Sequence, residues 1–393
     1  MNGTSTDARA VRARADALGL PDDEFRDDRD AAIVWSTLVE PGDRVAGAAI
    51  AQWGARGALD RARRGDAEGG RLVGDAVWSA ALRRWGPRWD AATLRDTVEL
   101  AARAGAGLLT PSDAGWPRSL GDLGAHAPVA LWVRGDASAL AAEPSIAIVG
   151  ARAATAYGEA AAAEVAGDLA ARGVIIVSGA AWGIDGVAHR AAFGVGGRTV
   201  AVLAGGVDKV YPSGHTELIE AAMAAGGAVA AEVPCGAAPT KWRFLQRNRL
   251  IAALGAATVV VEAGWRSGSL NTAGHASALG RPLGAVPGPI TSPASAGCHR
   301  LLRDYDAVCI TCADDALALV GIDAGLASGA GVDAARTDDA TRVRDALSTR
   351  APRTVGDIAR RAGMDPSDVA VILGYALLAG DAVDRGEGWL RVT

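Results

Sequence analysis

The sequence predicts an α/β protein with a Rossmann-like, mostly parallel sheet that has helices on both faces. From residue 145 to about residue 320, short segments that are apolar on both faces alternate with helical stretches. Strands of this kind are typical of a parallel sheet that is covered on both sides. Glycine-rich loops follow three of the segments, and ligands collect at the carboxyl ends of the strands in such sheets. The predicted strands are SIAIVG, VIIVSG, TVAVLAG, AVAAE, ATVVVEA, PLGAVPG and AVCIT.

The region before this sheet predicts a small helical domain. Residues 1–28 are rich in Asp, Arg and Ala, and we expect them to be a disordered start. Residues 29–110 have helical spacing of apolar side chains, with breaks at Pro41-Gly42 and Gly86-Pro87. They predict an all-α domain whose tryptophans lie in the core. The strand ALWVRG then leads into the Rossmann-like domain, which we place at residues 111–320.

The chain ends in a predicted winged-helix domain. Residues 321–340 are rich in Gly, Ala and Asp and have no periodicity, so they predict a linker. In residues 341–393, TVGDIARRAG and the apolar stretch after Gly363 predict a helix-turn-helix, and DAVDRGEGWLRV predicts a β-hairpin wing. Eight Arg are balanced there by seven Asp or Glu. The basic stripe of a DNA reader is therefore missing, and docking of a protein is an equal alternative.

The composition limits the classes of function. The net charge of −5 excludes a protein that coats nucleic acid by bulk charge, so any nucleic-acid site must be a local basic groove. The four cysteines do not form a paired zinc pattern, and we expect neither a metal nor a cofactor. Residues 1–30 lack the apolar core of a signal peptide, and no apolar run reaches membrane-spanning length. We expect a cytoplasmic protein without a membrane partner.

Three glycine-rich loops predict a site that binds phosphate. They are GARAATAYG from Gly150, SGAAWGIDGVAH from Ser178 and SGSLNTAG from Ser267. Glycine lets a ligand approach the backbone closely, and the start of a helix offers free N–H groups to an anion. Arg152, on the first loop, is placed to clamp a phosphate with two N–H groups. The residues of these loops that we expect to contact phosphate are Gly150, Arg152, Ser178, Gly179, Ser267 and Gly268.

Two common nucleotide sites are excluded by the same loops. A dinucleotide fingerprint needs G-x-G-x-x-G and an acidic residue at the end of the second strand. Here the first loop is GARAAT, and the second strand ends at Ser178-Gly179. The P-loop pattern G-x-x-x-x-G-K-[ST] does not occur.

The segment KWRFLQRNR, from Lys241 to Arg249, indicates nucleic acid. We expect its four cations to supply positive charge, and Trp242 and Phe244 to supply flat faces for bases. That combination suits a single strand, whose bases are free to stack on side chains. An amphipathic helix with Phe244 in the core and a solvated basic face is an equal alternative. Two further tryptophans, Trp182 and Trp265, are either stacking platforms on the ligand side or lids over the core.

Residues for catalysis cannot be assembled convincingly. Ser178, Asp185 and His189 are of suitable types, but no G-x-S-x-G elbow surrounds the serine. We expect Asp185 to cap the helix that runs through His189, and His189 to make a structural hydrogen bond. Glu232 and Glu262 end predicted strands, where catalytic carboxylates often lie. A hydrolase of N-glycosidic bonds therefore stays open as an alternative.

In their order, these motifs resemble the DNA-processing protein A family (DprA, also called Smf). The resemblance covers residues 145–304 and includes the G-x-R turn at Gly150, SGAAWGID with His189, and AVLAGGVDKVYP. It continues through FLQRNRLIAAL, VVVEA, SGSLNTA and AVPG. The pattern departs from the family at Ser213, where many members carry a Lys, and around Cys298-His299 and Tyr305-Asp306.

The resemblance implies a non-catalytic protein that binds single-stranded DNA, forms homodimers and helps to load the RecA recombinase during natural transformation. It implies that Arg152 holds a phosphate, and that Arg247 either touches DNA or supports the structure. The residues that it places in the DNA pocket are Ser178, Gly179, Lys241, Phe244 and Asn248. The alternative is a nucleotide phosphoribohydrolase that resembles the lysine-decarboxylase-like LOG group, with Glu232 or Glu262 as the catalytic carboxylate. That group carries a PGGxGT loop, which is absent from this sequence.

Overall fold

A mixed sheet of nine strands organises the larger part of the chain in the computed structural model, which describes residues 27–322 and 339–392. The predicted disordered start and most of the predicted linker lie outside the described residues. The strands in chain order are β1 (Gly107–Leu109), β2 (Leu131–Gly135), β3 (Ser145–Val149), β4 (Ile175–Ser178), β5 (Thr199–Leu203), β6 (Ala228–Ala231), β7 (Ala257–Val260), β8 (Leu283–Ala285) and β9 (Val308–Cys309).

The order of the strands confirms the predicted Rossmann-like sheet. The order is β1-β2-β6-β5-β4-β3-β7-β8-β9. Strands β3 to β9 pair in parallel, whereas β2 pairs antiparallel with both β1 and β6. All seven predicted segments form strands of the parallel part. Strands β4, β5 and β6 follow on one side of β3, whereas β7, β8 and β9 lie on its other side. Ligands bind in this fold at the crevice where the strand order changes sides, which here is between β3 and β7.

Helices cover both faces of the parallel strands. Alternate residues of β3 point to opposite faces, as the period of two requires: Ile146 and Ile148 lie in one hydrophobic cluster, and Ala147 and Val149 lie in another. On the face of Ile146 lie α6 (Ala156–Ala171), α7 (Ile184–Gly194) and α12 (Ala313–Ala318). On the other face lie α9 (Lys241–Leu254), α10 (Ser269–Ala278) and α11 (Ala296–Asp304).

The helices before the sheet pack around a cluster of buried indole rings. Trp35 and Trp78 both meet Trp85 edge to face, with ring centroids 5.1 Å and 5.6 Å apart. The predicted tryptophan core is confirmed for these three residues, whereas Trp53 and Trp89 are half-buried and pack against it. The helices are α1 (Asp28–Leu38), α2 (Arg44–Arg64), α3 (Glu68–Val73), α4 (Asp75–Trp85) and α5 (Ala91–Ala104), and α8 (Thr216–Ala224) follows later in the chain. Short 3-10 helices span Gly86–Arg88, Arg118–His126, Ala137–Leu140, Ser213–His215 and Pro293–Ser295.

The hydrophobic core of these helices is continuous with the sheet. Trp132 of β2, Leu203 of β5 and Ala231 of β6 belong to the same buried cluster as Trp35 and Trp85. Burial of such large apolar side chains is the main force that joins two layers of structure. The described helices α1–α5 and the sheet therefore lie in one compact unit, which is divided from the second between residues 324 and 325.

The described part of the second unit contains three helices and a hairpin. The helices are α13 (Asp339–Ala346), α14 (Val355–Ala362) and α15 (Pro366–Ala379), and the antiparallel strands are β10 (Ala382–Asp384) and β11 (Trp389–Arg391). Gly363 ends α14 at a φ of +64°, a value that favours glycine, and α14 and α15 meet at a bend of 106°. The helix and hairpin bounds agree with the predicted segments, while a winged-helix role stays a prediction.

Within the described ranges, no single helix combines the length and the apolar composition that a membrane span needs. Helices α14 and α15 reach that threshold only when they are counted together across their bend.

A buried histidine joins α7 to β5. His189 is fully buried, and its Nδ1 lies 2.7 Å from the hydroxyl of Thr199, which donates to the carbonyl of Ile176 at 2.6 Å. The hydroxyl proton is used in the second bond, so His189 Nδ1 is the donor in the first. The expected structural hydrogen bond of His189 is confirmed.

We expect the variant His189→Asn to lose less stability in acid than the wild type. Burial lowers the pKa of His189 to about 3, whereas an unfolded chain has a histidine pKa of about 6.5. Between these values the unfolded chain binds a proton that the folded chain does not, so the free energy of unfolding falls as the pH drops through this window. The effect between about pH 7 and about pH 4.5 is on the order of 2 kcal/mol. Urea titrations at both pH values measure it, and equal losses in both proteins would contradict a buried neutral histidine.

Candidate functional site

A cavity of about 910 Å³ opens at the carboxyl ends of β3, β4 and β7, beside the start of α9. It lies beside β3 and β7, between which the strand order changes sides, and ligands bind at such a position in this fold. The structure brings most of the predicted site residues together on its wall. Those residues are Gly150, Arg152, Lys241, Phe244, Arg247, Asn248, Ser267 and Gly268.

Ser178 and Gly179 do not lie on this wall, contrary to the expectation that they would face a phosphate. Ser178 is 0% exposed, and its hydroxyl donates to the carbonyl of Ile148 at 2.6 Å. The N–H of Gly179 donates to the carboxylate of Asp185 at 3.1 Å. Because both donors are already used inside the protein, these two residues shape the site from behind its surface.

Asp185 accepts hydrogen bonds from N–H groups of the loops instead of capping its helix. Its carboxylate accepts hydrogen bonds from the N–H groups of Gly179 and Ala181, and from that of Gly150. The N-cap position of α7 is Gly183, which has no side chain with which to cap. The prediction that Asp185 caps this helix is therefore wrong. Burial raises the pKa of the Asp185 carboxyl, and the nearby Arg247 guanidinium opposes that rise.

Arg247 supports the site from within. Its Nη1 donates to the carbonyls of Gly179 and Val202, each at 2.5 Å. Burial lowers the pKa of Arg247 to about 10, and the charge of Asp185 opposes this change. The guanidinium of Arg247 thus joins α9 to the ends of β4 and β5. Two roles were expected for Arg247, contact with DNA or support of the structure, and this is the second.

Two other cations of α9 face the scaffold, contrary to the expectation that all four would serve a ligand. Arg243 binds Glu40 through Nε at 2.9 Å and Nη2 at 2.8 Å. Arg249 binds Glu232 through Nη2 at 2.6 Å and Nη1 at 2.7 Å. Glu232 also accepts the N–H of Gly42 at 3.1 Å. These pairs fasten α9 to the segment after α1 and to the end of β6, and they engage both guanidinium groups with carboxylates of the scaffold.

The cations that remain for a ligand are Arg152, Lys241 and Arg266. Each is exposed on the cavity wall and has no ion pair among residues 27–322 and 339–392. Arg266 was not among the predicted site residues, although its position directly before the loop SGSLNTAG indicates the same site. Asp185 is the one carboxylate on the wall that the structure describes. Charge in the cavity is therefore strongly positive.

An aromatic side chain lies beside one of these charges. Phe244 lines the cavity, and the guanidinium carbon of Arg152 lies 5.0 Å from its ring centroid. The ring centroid of Tyr211, which also lines the cavity, lies 5.7 Å from that of Phe244. The structure thus places Phe244 at the ligand side and not in the core. Trp242 is exposed but does not line the cavity.

The loops add backbone donors to the wall. In the described part of the chain, the N–H groups of Arg152, Ala153 and Gly268 have no protein acceptor. Gly268 precedes the first turn of α10, where free N–H groups and the helix dipole favour an anion. Asn248 holds this loop through its side-chain amide, which donates to the carbonyl of Gly268 at 3.4 Å and to Asn271 at 3.1 Å.

The two carboxylates proposed for catalysis are both engaged in the scaffold. Glu262 accepts the N–H and the hydroxyl of Thr155, each at 2.8 Å, and so fixes the loop before α6. Glu232 is paired with Arg249 at 2.6 Å. Neither lines the cavity, so the phosphoribohydrolase alternative is not favoured.

The chain is similar to proteins that are named for DNA processing and recombination. A model of the DNA recombination-mediator protein A family matches residues 107–321. A provisionally named DNA processing protein DprA of Mycobacterium tuberculosis is 44% identical over 348 residues, or 84% of this chain and 86% of that relative. The DNA processing protein DprA of Bacillus subtilis is 37% identical over 188 residues, or 48% of this chain and 62% of that relative.

The fold of a solved structure is also similar. The X-ray structure of DNA processing protein A from Streptococcus pneumoniae aligns with a TM-score of 0.58 and 29% sequence identity. The alignment covers 74% of this chain and 97% of that one.

We expect Gly179→Ala to destabilise the protein and Gly268→Ala to leave its stability nearly unchanged. A Cβ at Gly179 would lie 2.2 Å from Nη1 of the buried Arg247, which is held by hydrogen bonds to the carbonyls of Gly179 and Val202. A Cβ at Gly268 meets nothing within 4 Å, and its φ of −64° suits any residue. Overpacking of the first kind costs about 1–3 kcal/mol. Thermal unfolding followed by circular dichroism compares the two variants, and equal midpoints would contradict the geometry at Gly179.

Proposed function

The chain belongs to the DNA recombination-mediator protein A family and is a DNA-processing protein, and we propose that its cavity binds single-stranded DNA. The observation that carries this proposal is the charge of the cavity. Four cations (Arg152, Lys241, Arg247 and Arg266) face one carboxylate (Asp185) there, on a chain whose net charge is −5. A local excess of that kind attracts a polyanion and gives salt-dependent binding.

The ring of Phe244 favours a single strand over a duplex. A base can stack on this ring only when it is unpaired, because the bases of a duplex are stacked on one another. Pockets for small ligands occupy roughly 300–1000 Å³, and the cavity of about 910 Å³ lies in that range. It therefore takes a few nucleotides at a time and leaves the rest of the strand outside.

Phosphates would bind at the loops on either side of the ring. The side chains of Arg152, Lys241 and Arg266 offer charge, and the free N–H groups of Ala153 and Gly268 offer directed hydrogen bonds. Contacts of this kind hold the backbone of a strand and carry no information about its sequence. We propose weak sequence preference.

The protein acts by binding, in our proposal, and not by catalysis. Asp185 is buried beneath the loops, and Glu232 and Glu262 hold the scaffold. No carboxylate among the described residues is thus left free on the cavity wall to act as a base. Release of free base from nucleoside monophosphates, abolished by Glu232→Gln or Glu262→Gln, would contradict this proposal.

The biological setting is proposed from the family. Bound strands would be protected during natural transformation in the cytoplasm and passed to the RecA recombinase for homologous recombination. A homodimer is part of the same proposal. We expect sedimentation at micromolar concentration to show a dimer, and a monomer both with and without DNA would contradict that part alone.

We expect the double variant Arg152→Ala/Lys241→Ala to lose most of its affinity for single-stranded DNA. Both side chains are exposed cations on the cavity wall, and each phosphate contact that is removed reduces the slope of log affinity against log salt by about 0.7 to 1. Fluorescence anisotropy with labelled single-stranded and duplex oligonucleotides across a salt series measures both effects.

The matched control is Arg71→Ala/Arg190→Ala, which removes the same charge from exposed positions away from the cavity. It should bind like the wild type. If both double variants bound with the affinity and the salt slope of the wild type, the cavity would not be the DNA site.

A further inference from the structure

A tryptophan stands exposed on the rim of the cavity, next to residues that line it. Gly264 and Arg266 are both on the cavity wall, whereas Trp265 between them is not. More than half of the Trp265 side chain is exposed to solvent. An exposed indole gains nothing from burial, and tryptophan is enriched where a large flat face meets a ligand or partner.

The indole of Trp265 is held in place from one side. The guanidinium carbon of Arg300 lies 5.4 Å from the ring centroid of Trp265 and equally 5.4 Å from that of Tyr305. Arg300 also donates from Nη2 to the hydroxyl of Tyr305 at 3.1 Å. The cation thus lies between two rings, an arrangement that favours a fixed position for each. One face of the indole is covered, while the residue as a whole stays open to solvent.

The scaffold beneath this cluster is rigid. Arg300 belongs to α11, and the N–H of Gly297 in its first turn donates to the carbonyl of Ala263 at 2.7 Å. The loop that carries Trp265 is therefore attached to the helix that carries Arg300. Tyr305 follows directly after α11, in one of the segments where the sequence departs from the family pattern.

The cluster of Trp265, Arg300 and Tyr305 extends the site along the edge of the sheet, in a direction that the order of the strands determines. Arg152 follows β3, Arg266 and Trp265 follow the neighbouring strand β7, and the segment after β8 reaches the cavity through Pro293. Adjacent strands lie about 4.8 Å apart, so these loops form a continuous edge. Trp265 precedes Arg266 in the same loop, so a strand that left the cavity past Arg266 would lie near the indole.

We infer that Trp265 is a second base-stacking position, which takes a nucleotide of the same single strand just outside the cavity. Arg266 supplies positive charge beside it for the adjoining phosphate, whereas Arg300 already pairs with Asp304 at 4.0 Å and positions the ring. The inference rests on the proposed function, because it assigns a further position to the same ligand. Trp265 should therefore matter only for strands that are long enough to reach beyond the cavity.

The test compares affinity across oligothymidylates of about 4 to about 16 nucleotides for the wild type and Trp265→Ala. We expect no change on the shortest strand that binds and a loss of about tenfold on the longest. Trp265→Phe should recover most of this loss, since it keeps a flat face. Phe244→Ala, which alters the cavity itself, should weaken binding at every length.

The control is Val77→Ala, which removes an exposed apolar side chain from α4. Val77 is 42% exposed and, unlike Trp242, has no neighbour in sequence that lines the cavity. It should show the length dependence of the wild type. Photocrosslinking of an iodouracil-substituted strand, followed by mass spectrometry, should place a crosslink at Trp265.

Two outcomes separate this inference from the function on which it rests. If the wild type binds the oligonucleotides but Trp265→Ala keeps its full length dependence, the inference is overturned and the cavity site stands. If Trp265→Ala loses affinity equally at all lengths, the assignment of a position outside the cavity is wrong. If the wild type binds no strand of any length, the proposed function fails and the inference fails with it.

Discussion

The buried charges of Arg247 and Asp185 act on one another in the cavity wall, and the loops of the site are fastened to them. Asp185 accepts backbone N–H groups from the loops after β3 and β4, while Arg247 donates to carbonyls at the ends of β4 and β5. Burying either charge alone would cost several kcal/mol, and each offsets part of the cost of the other. The loops therefore hold their shape before any ligand arrives, which lowers the entropy lost on binding.

Ion pairs within the scaffold also decide which positive charges remain for a ligand. Arg243 and Arg249 are neutralised by Glu40 and Glu232, and Arg247 is opposed by Asp185. Lys241 is the first residue of the same helix and has no ion-pair partner among the described residues. One short helix thus anchors the scaffold at its buried end and offers charge at its exposed end. This division explains how a chain with a net charge of −5 can present a cationic cavity.

The two aromatic side chains assigned to the DNA path have the same local construction. Arg152 lies 5.0 Å from the ring of Phe244, and Arg300 lies 5.4 Å from the ring of Trp265. A guanidinium on an aromatic face steadies the ring and brings a positive charge next to the place where a base would stack. Stacking and phosphate contact are then available within one nucleotide of each other. The arrangement suits a ligand that repeats both features along its length.

The sequence by itself determined the parallel sheet, the three loops and the importance of the segment from Lys241 to Arg249. Those features are local, since apolar strands, glycine-rich turns and clusters of charge are visible in consecutive residues. The tertiary structure alone decided which way each charge faces. Glu40 and Glu232 are far from α9 in sequence and adjacent to it in space, and Ser178 loses its donor to a neighbouring strand. Pairing partners of this kind are set by packing, which no local pattern contains.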